Sequence, residues 1–405
     1  MKHIVWMITL LSICASAQTL DDYAREALEN NAGVMAKYLA YQAALEKIPQ
    51  VGALPDPQVS FGYFISPVET RVGAQQARFS VIQMFPWLGT LDARKKVAAE
   101  MARAKYEEFM LARNEVIANV KETYFKLHAL RESVRLTNEN LDILETYRSL
   151  AVQKFQSALT GMVDVLRLDL EIAELTNQLQ LLTDKEQPLV TLFNQHLNRD
   201  TYSPVIITDG LEETAPPWNK DALTDSVLTA NNQLLALRHM SKAADLGVSV
   251  ARKEGAPSVG IDLSYIIVAE RTDMSVPENG KDAFMPMLTV RLPLYRSRYR
   301  SMRQEAELNR DAYMSMESQH SNMLRTQVDM LWVDYEDAVR RVALYRNQQQ
   351  TAEQVLRILV EAYSATGKDF EEVLRMQRAL LMYEMEEINA VRDALIAVAK
   401  LEALF

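Results

Sequence analysis

The sequence predicts a mainly α-helical chain with a small β part, built as two halves that share the order helix, strand, strand, long helix, long helix. Three observations carry this. Turn residues are scarce, with 12 Gly and 13 Pro in 405 residues, while good helix formers (Ala, Leu, Glu, Gln, Arg, Met) fill the long middle stretches. Short segments at four places alternate apolar and polar residues with period two. The plan also recurs after roughly 200 residues, a period too long for a solenoid and suited to a doubled domain.

The recurrence is visible in three pairs of segments. Leu54 to Tyr63 returns as Ala256 to Tyr265, Gln83 to Leu88 as Val290 to Tyr295, and Val165-Leu166-Arg167 as Val373-Leu374-Arg375. One pair alone could be chance likeness between helical or strand segments; the shared order of all three argues against it. The first repeat is expected over 18–210, with strands at 57–65 and 77–85 and long helices at 87–155 and 163–197. The second is expected over 211–405, with strands at 258–267 and 285–292 and long helices at 295–363 and 370–404.

In the first strand Val59, Phe61, Tyr63 and Ile65 face one way, and Gln58, Ser60 and Gly62 the other. In the third, Val259, Ile261, Leu263 and Tyr265 oppose Ser258, Gly260, Asp262 and Ser264; in the fourth, Leu288, Val290 and Leu292 oppose Thr289 and Arg291. The second, Arg78 to Phe85, alternates less cleanly. Four such strands close poorly alone. Three copies would make a closed barrel with an apolar face to lipid and a polar face to a lumen, and strands of this length suit a tilted crossing. The loops Ser66 to Gln75 and Val268 to Phe284 would then face the exterior.

The long helices carry heptad seams. Val120, Leu127, Val134 and Leu141 recur every seven residues, with Thr123, Leu130, Thr137 and Leu144 three later. The partner helix has Leu168, Ile172, Leu175, Leu179 and Leu182. The second half has Leu324, Val328, Leu331, Tyr335, Ala338, Val342 and Tyr345, then Ala390, Ala394, Ala397, Leu401 and Leu404. Small and polar members suit helices packed on both flanks, as in a tunnel wall.

Residues 1–17 read as a secretory signal peptide. Lys2 and His3 precede an apolar run ending at Cys14, then Ala15-Ser16-Ala17, so the mature chain is expected to begin at Gln18. Ile13 stands where lipoprotein processing wants a small residue, which argues against lipidation of Cys14. Cys14 is the only cysteine, so the mature chain would hold no disulfide or thiol nucleophile. No later segment is long and apolar enough for a transmembrane helix. The formal net charge of -10 without a dominant Lys/Arg block argues against nucleic acid binding.

Other chemistry is poorly supported. The methionine pairs Met285/Met287, Met314/Met316 and Met382/Met385 could suggest soft-metal binding, but Met is also adaptable filler, and packing is the preferred reading. His3, His128, His196, His239 and His320 show no i,i+4 pairing, so no metal site is expected. Glu371/Glu372 and Glu386/Glu387 read as solvated helix faces. Neither a Gly-x-Ser-x-Gly nucleophile motif nor a phosphate-binding glycine loop occurs. No cofactor and no enzymatic activity are expected.

The long helices must reverse in Ser157-Ala158-Leu159-Thr160-Gly161 and Ser364-Ala365-Thr366-Gly367-Lys368, where glycine permits the positive φ of a tight turn. With these tips the chain resembles the TolC-like outer membrane efflux proteins. It looks closest to the branch paired with heavy-metal and cation exporters of the resistance-nodulation-division type. The resemblance spans the mature chain. It rests on Asp56-Pro57, Val68 to Gly73, Gln83 to Gly89, the two tips, and Ala397 to Glu402.

The resemblance implies a homotrimer: a 12-stranded β-barrel in the outer membrane lipid, continuous with an α-helical tunnel in the periplasm. It implies a passive gated export duct of a tripartite pump, working with a periplasmic adaptor (membrane fusion) protein and an inner membrane pump. The ten tip residues just named would meet the adaptor. Asp164 and Glu372 would be gate carboxylates, with Arg167 and Arg375 three residues after each. The pattern departs from the family at Ala158, where glycine is usual, and at Arg375, where an acid is expected. Metal cations and small toxic solutes both remain open as cargo. A periplasmic coiled-coil scaffold or adaptor without a pore is the competing reading; it leaves the four amphipathic strands unexplained.

Overall fold

A computed structural model describes residues 19–208, 210–213, 215–366 and 370–405. The expected signal peptide, Cys14, and the tip residues Gly367 and Lys368 lie outside the described residues. The elements run α1 (Leu20–Asn30), α2 (Ala32–Gly52), β1 (Gln58–Thr70), β2 (Gly73–Phe85), α3 (Thr90–Gln156), α4 (Met162–Asp184) and α5 (Glu186–Leu197). They continue as α6 (Lys220–Ala230), α7 (Asn232–Glu254), β3 (Ser258–Val268), β4 (Ala283–Arg291), α8 (Arg296–Thr366) and α9 (Phe370–Glu402). The chain divides into two compact units. One comprises residues up to Ala36 with Met110–Asn231 and Asn322–Phe405; the other comprises Lys37–Phe109 and Asn232–Ser321. Each unit draws on both halves of the sequence.

The second unit holds the sheet, an antiparallel meander in the order β1-β2-β3-β4. Its register puts Phe61 opposite Phe79, Phe79 opposite Tyr265, and Tyr265 opposite Phe284. Val59, Val81, Leu263 and Pro286 form the next row on the same face. That face is apolar and open, with Ile65 92% exposed and Leu288 72% exposed. The other face is polar: Ser60 bonds Ser80 at 2.6 Å, Arg78 donates to Ser264 at 2.9 Å, and Ser264 donates to Asp262 at 3.2 Å. β2 alternates poorly in the sequence because Gln83 falls on the apolar side and Ile82 and Met84 on the polar one; the Gln83 amide is used at the strand end, donating to the Pro55 and Met84 carbonyls.

The expected loop at Ser66 to Gln75 is mostly strand. β1 runs on to Thr70 and β2 begins at Gly73, so the turn is only Arg71-Val72. The register slips between Tyr63 and Val68, around Pro67. Proline has no N–H for a ladder, and an edge strand tolerates it at such an irregularity. Gly73 has φ +134, and a Cβ there would lie 1.7 Å from the Ala269 carbonyl oxygen, so glycine is required. The second loop folds onto this turn: the Gly280 N–H donates to the Val72 carbonyl at 2.7 Å.

The first unit holds the long-helix seams. Thr123, Leu130, Thr137, Leu144 and Ala151, seven residues apart along α3, are all buried. The buried threonines are satisfied by their own helix: Thr123 donates to Asn119 O at 2.8 Å and Thr137 to Ser133 O at 2.7 Å. Ala390, Ala394, Ala397, Leu401 and Leu404 are buried likewise. The helix expected over 163–197 is two helices parted at Lys185. Pro188 explains the break, since it lacks an N–H and its ring opposes the carbonyl four residues back, yet it is tolerated in the first turn of α5. The leading helix of each half is also split, at Asn31 and at Asn231. Asn31 donates to His196 O at 2.9 Å and Asn231 to Leu404 O at 2.7 Å, so the same amide in each half ties the split to the end of a later helical segment.

Candidate functional site

The tips lie in the first unit. At the end of α3 the Ala158 N–H donates to Phe155 O and the Leu159 N–H to Lys154 O, both at 2.9 Å. This is a Schellman closure, which needs a left-handed residue at Ala158; its φ is +57. Gly161, expected to make the reversal, is instead the extended N-cap of α4, with φ -86 and ψ 157. The left-handed position is therefore the one where the resemblance led to an expectation of glycine, and alanine occupies it.

Asp164 sits in the first turn of α4. Burial raises its carboxyl above the usual range, and the Arg167 charge only partly offsets this. Arg167 makes its ion pair with Glu371 of α9, at 3.0 Å, rather than with Asp164. Arg375 pairs with Glu372 one turn away on the same helix. Thus the structure joins α4 to α9 through Arg167–Glu371, while Glu372 and Arg375 stay within α9. Sequence reasoning had grouped Glu371 with solvated surface acids; as Glu372's neighbour in a first helical turn, it was the available signal.

Further residues around the tips were missed. Tyr363, 1% exposed, packs its ring 4.6 Å from that of Phe370. Its hydroxyl is buried without a sound hydrogen-bond partner, as is the Thr160 hydroxyl. Burial, with the Asp164 charge added, raises the Tyr363 phenol above its ordinary value. Lys154 lies 5.3 Å over the Tyr363 ring and donates to Ser364 O at 2.9 Å, joining the ends of α3 and α8. One turn further on, Arg148 pairs with Asp169 at 2.5 Å and Arg378 with Glu171, two more bridges between helices. The helix ends are thus held by ion pairs around a core of Leu144, Val165, Leu168, Tyr363, Phe370 and Val373. Such a set can be opened by charge changes without dismantling an apolar core. No group of three or more His, Cys, Asp or Glu suited to a metal ion occurs among the described residues.

Residues 23–192 and 223–405 match the family described as outer membrane efflux protein. The chain belongs to the outer membrane efflux protein family. No curated protein matches it significantly. Among solved structures, the outer-membrane channel OprN aligns with a TM-score of 0.77 at 15% identity, covering 95% of this chain and 89% of its own. CusC, whose crystal structures concern transmembrane channel formation, aligns at 0.77 and 13% identity, covering 96% and 92%. The outer membrane protein VceC from Vibrio cholerae aligns at 0.75 and 17% identity, covering 95% of both chains. At these identities the likeness is one of fold. As an outer membrane efflux protein, the chain is an outer membrane channel of a tripartite efflux system.

Proposed function

We propose that this efflux protein is a passive, gated duct formed by three copies, and that it catalyses nothing. The observation that carries this reading is the sheet. Its outer strands β1 and β4 are each paired on one side only, leaving two open edges among the described residues, and one face is apolar and exposed. Unpaired edges are untenable in lipid, and three sheets of four strands close into a barrel of twelve. The apolar face would meet lipid and the Arg78–Ser264–Asp262 face the lumen. The two sequence repeats would each supply one hairpin and one pair of long helices. The helical tunnel would stand in the periplasm. Its tips, Ser157 to Gly161 and Ser364 to Lys368, would meet a periplasmic adaptor that couples it to an inner membrane pump.

We assign the gate to Asp164, Arg167, Glu372 and Arg375, with Glu371 and Lys154 as the partners that hold it shut. Three-fold symmetry makes every such residue a ring of three. Carboxylate rings favour cations, which supports metal cations alongside small toxic solutes as cargo. The test is conductance in planar bilayers. Arg167→Ser with Arg375→Ser should raise resting conductance, and Asp164→Ala with Glu372→Ala should weaken cation preference. If the wild type forms channels and both double mutants match it, the gate lies elsewhere. If the wild type never conducts, the duct reading fails.

A further inference from the structure

Where the sheet joins the helices, the second unit has an open cavity of about 320 Å³ that the gate and seams do not use. Its lining includes four basic side chains, Arg94, Lys253, Arg291 and Arg298, against one acid, Glu254. This basic concentration stands out in a chain of formal net charge -10. Two of the four are already engaged: Arg94 pairs with Glu254 at 2.6 Å and Lys253 donates to Gly89 O at 3.1 Å. The side chains of Arg291 and Arg298 form no ion pair and no hydrogen bond among the described residues, apart from the 5.8 Å approach of Arg298 to the Tyr299 ring. Both are exposed and free to turn toward a ligand.

Two features of α3 point the same way. Thr90, its first residue, also lines the cavity and is 2% exposed, yet its hydroxyl has no partner. A buried hydroxyl left unbonded has given up its hydration with nothing in return, so a ligand that bonds it gains that contact. The Thr90 N–H is taken by Trp87 O, but the first turn of α3 still presents the positive end of the helix dipole, which favours anions. Asp92, which could compete there, pairs with Lys96 at 2.9 Å. Trp87 and Tyr299 provide flat walls.

We infer that this cavity binds a phosphate-type oxyanion carried by a soluble solute. Arg291 and Arg298 supply charge-assisted hydrogen bonds, and Thr90 an orienting hydroxyl. The strand residues at the cavity, Met84, Ser258 and Arg291, belong to the polar face of the sheet: Ser258 is paired with Arg291, and Met84 with Gly260. A lipid headgroup would approach from the apolar face, so a soluble solute is the occupant. The binding stands whether or not the protein conducts; only its place on the inner wall of the duct rests on the proposed function.

The experiment is calorimetric titration of inorganic phosphate into the detergent-solubilised full chain, with anionic phospholipid vesicles as a second arm. Saturable phosphate binding is expected that weakens as sodium chloride rises. Arg291→Gln or Arg298→Gln should weaken it about tenfold, and Thr90→Val about threefold. Thr90→Ser should bind as the wild type does, which separates the hydroxyl from any packing defect. Absence of saturable phosphate binding to the wild type overturns the inference, and so does equal affinity across the variants. Vesicle binding that depends on the two arginines, without binding of free phosphate, also overturns it.

Discussion

Replacing Ala158 with glycine should tighten the first tip. Ala158 is held at φ +57 by the two hydrogen bonds that close α3. An L-residue in that conformation costs roughly 1–2 kcal/mol, because its Cβ crowds the backbone. Glycine removes this cost but has more freedom to lose on folding, which returns roughly 0.5–1 kcal/mol. The net gain is about 0.5–1 kcal/mol, a two- to fivefold fall in the opening of the turn. Asn198, also left-handed at φ 53, ends α5 in the same way with a residue type that tolerates the region. Native-state hydrogen exchange of the Leu159 amide, whose N–H closes the turn, reads the change directly. Protection should rise two- to fivefold in Ala158→Gly and fall in Ala158→Val. Unchanged or reduced protection in the glycine variant would show that Ala158 is unstrained.

Three further outcomes follow from other parts of the molecule. Asn231→Ala removes a buried bond to Leu404 O and should lower stability by about 1–3 kcal/mol; a thermal melt that matches the wild type would deny that role. Burial raises the folded-state carboxyl of Asp164 above its ordinary value, so the folded tip holds the proton more tightly than the unfolded chain does. Its ionisation therefore costs stability at neutral pH, and the cost is relieved as pH falls through the raised value. Hydrogen exchange at the tip, corrected for intrinsic rates, should show this pH dependence in the wild type and lose it in Asp164→Asn; the same slope in both would point to another group. Finally, a tag inserted after Met274, in the loop between β3 and β4, should label on intact cells, and labelling only after permeabilisation would reverse the topology.

Much of the fold was legible because it is periodic. The period-two alternation of Val259 to Tyr265 and the seven-residue spacing of Thr123 to Leu144 report which side of an element is covered, and that is set locally. What escaped depends on single residues read in three dimensions. Pro188 splits a helix whose apolar pattern continues across it, and Asn31 and Asn231 break helices while bonding carbonyls over 160 residues away. At the tips, glycine was the natural choice for the left-handed position, yet Ala158 takes it because the Schellman bonds override the side chain's preference. The repeat-related spacing of Asp164, Arg167, Glu372 and Arg375 is visible in the sequence, but their pairing is not. Arg167 of α4 reaches Glu371 of α9, and Tyr363 of α8 is buried against Phe370 and Val165, because the ends of α4, α8 and α9 converge there.

The central claim, that three copies close one barrel through β1 and β4, is tested most directly by disulfide cross-linking between these edges. With Cys14 replaced, cysteines can be scanned in pairs, one on β1 between Gln58 and Thr70 and one on β4 between Ala283 and Arg291. On oxidation in outer membranes, at least one register should give a covalent dimer and a closed covalent trimer, with nothing larger. A continuing ladder beyond three, or monomer alone in every register while the protein remains folded, would contradict it.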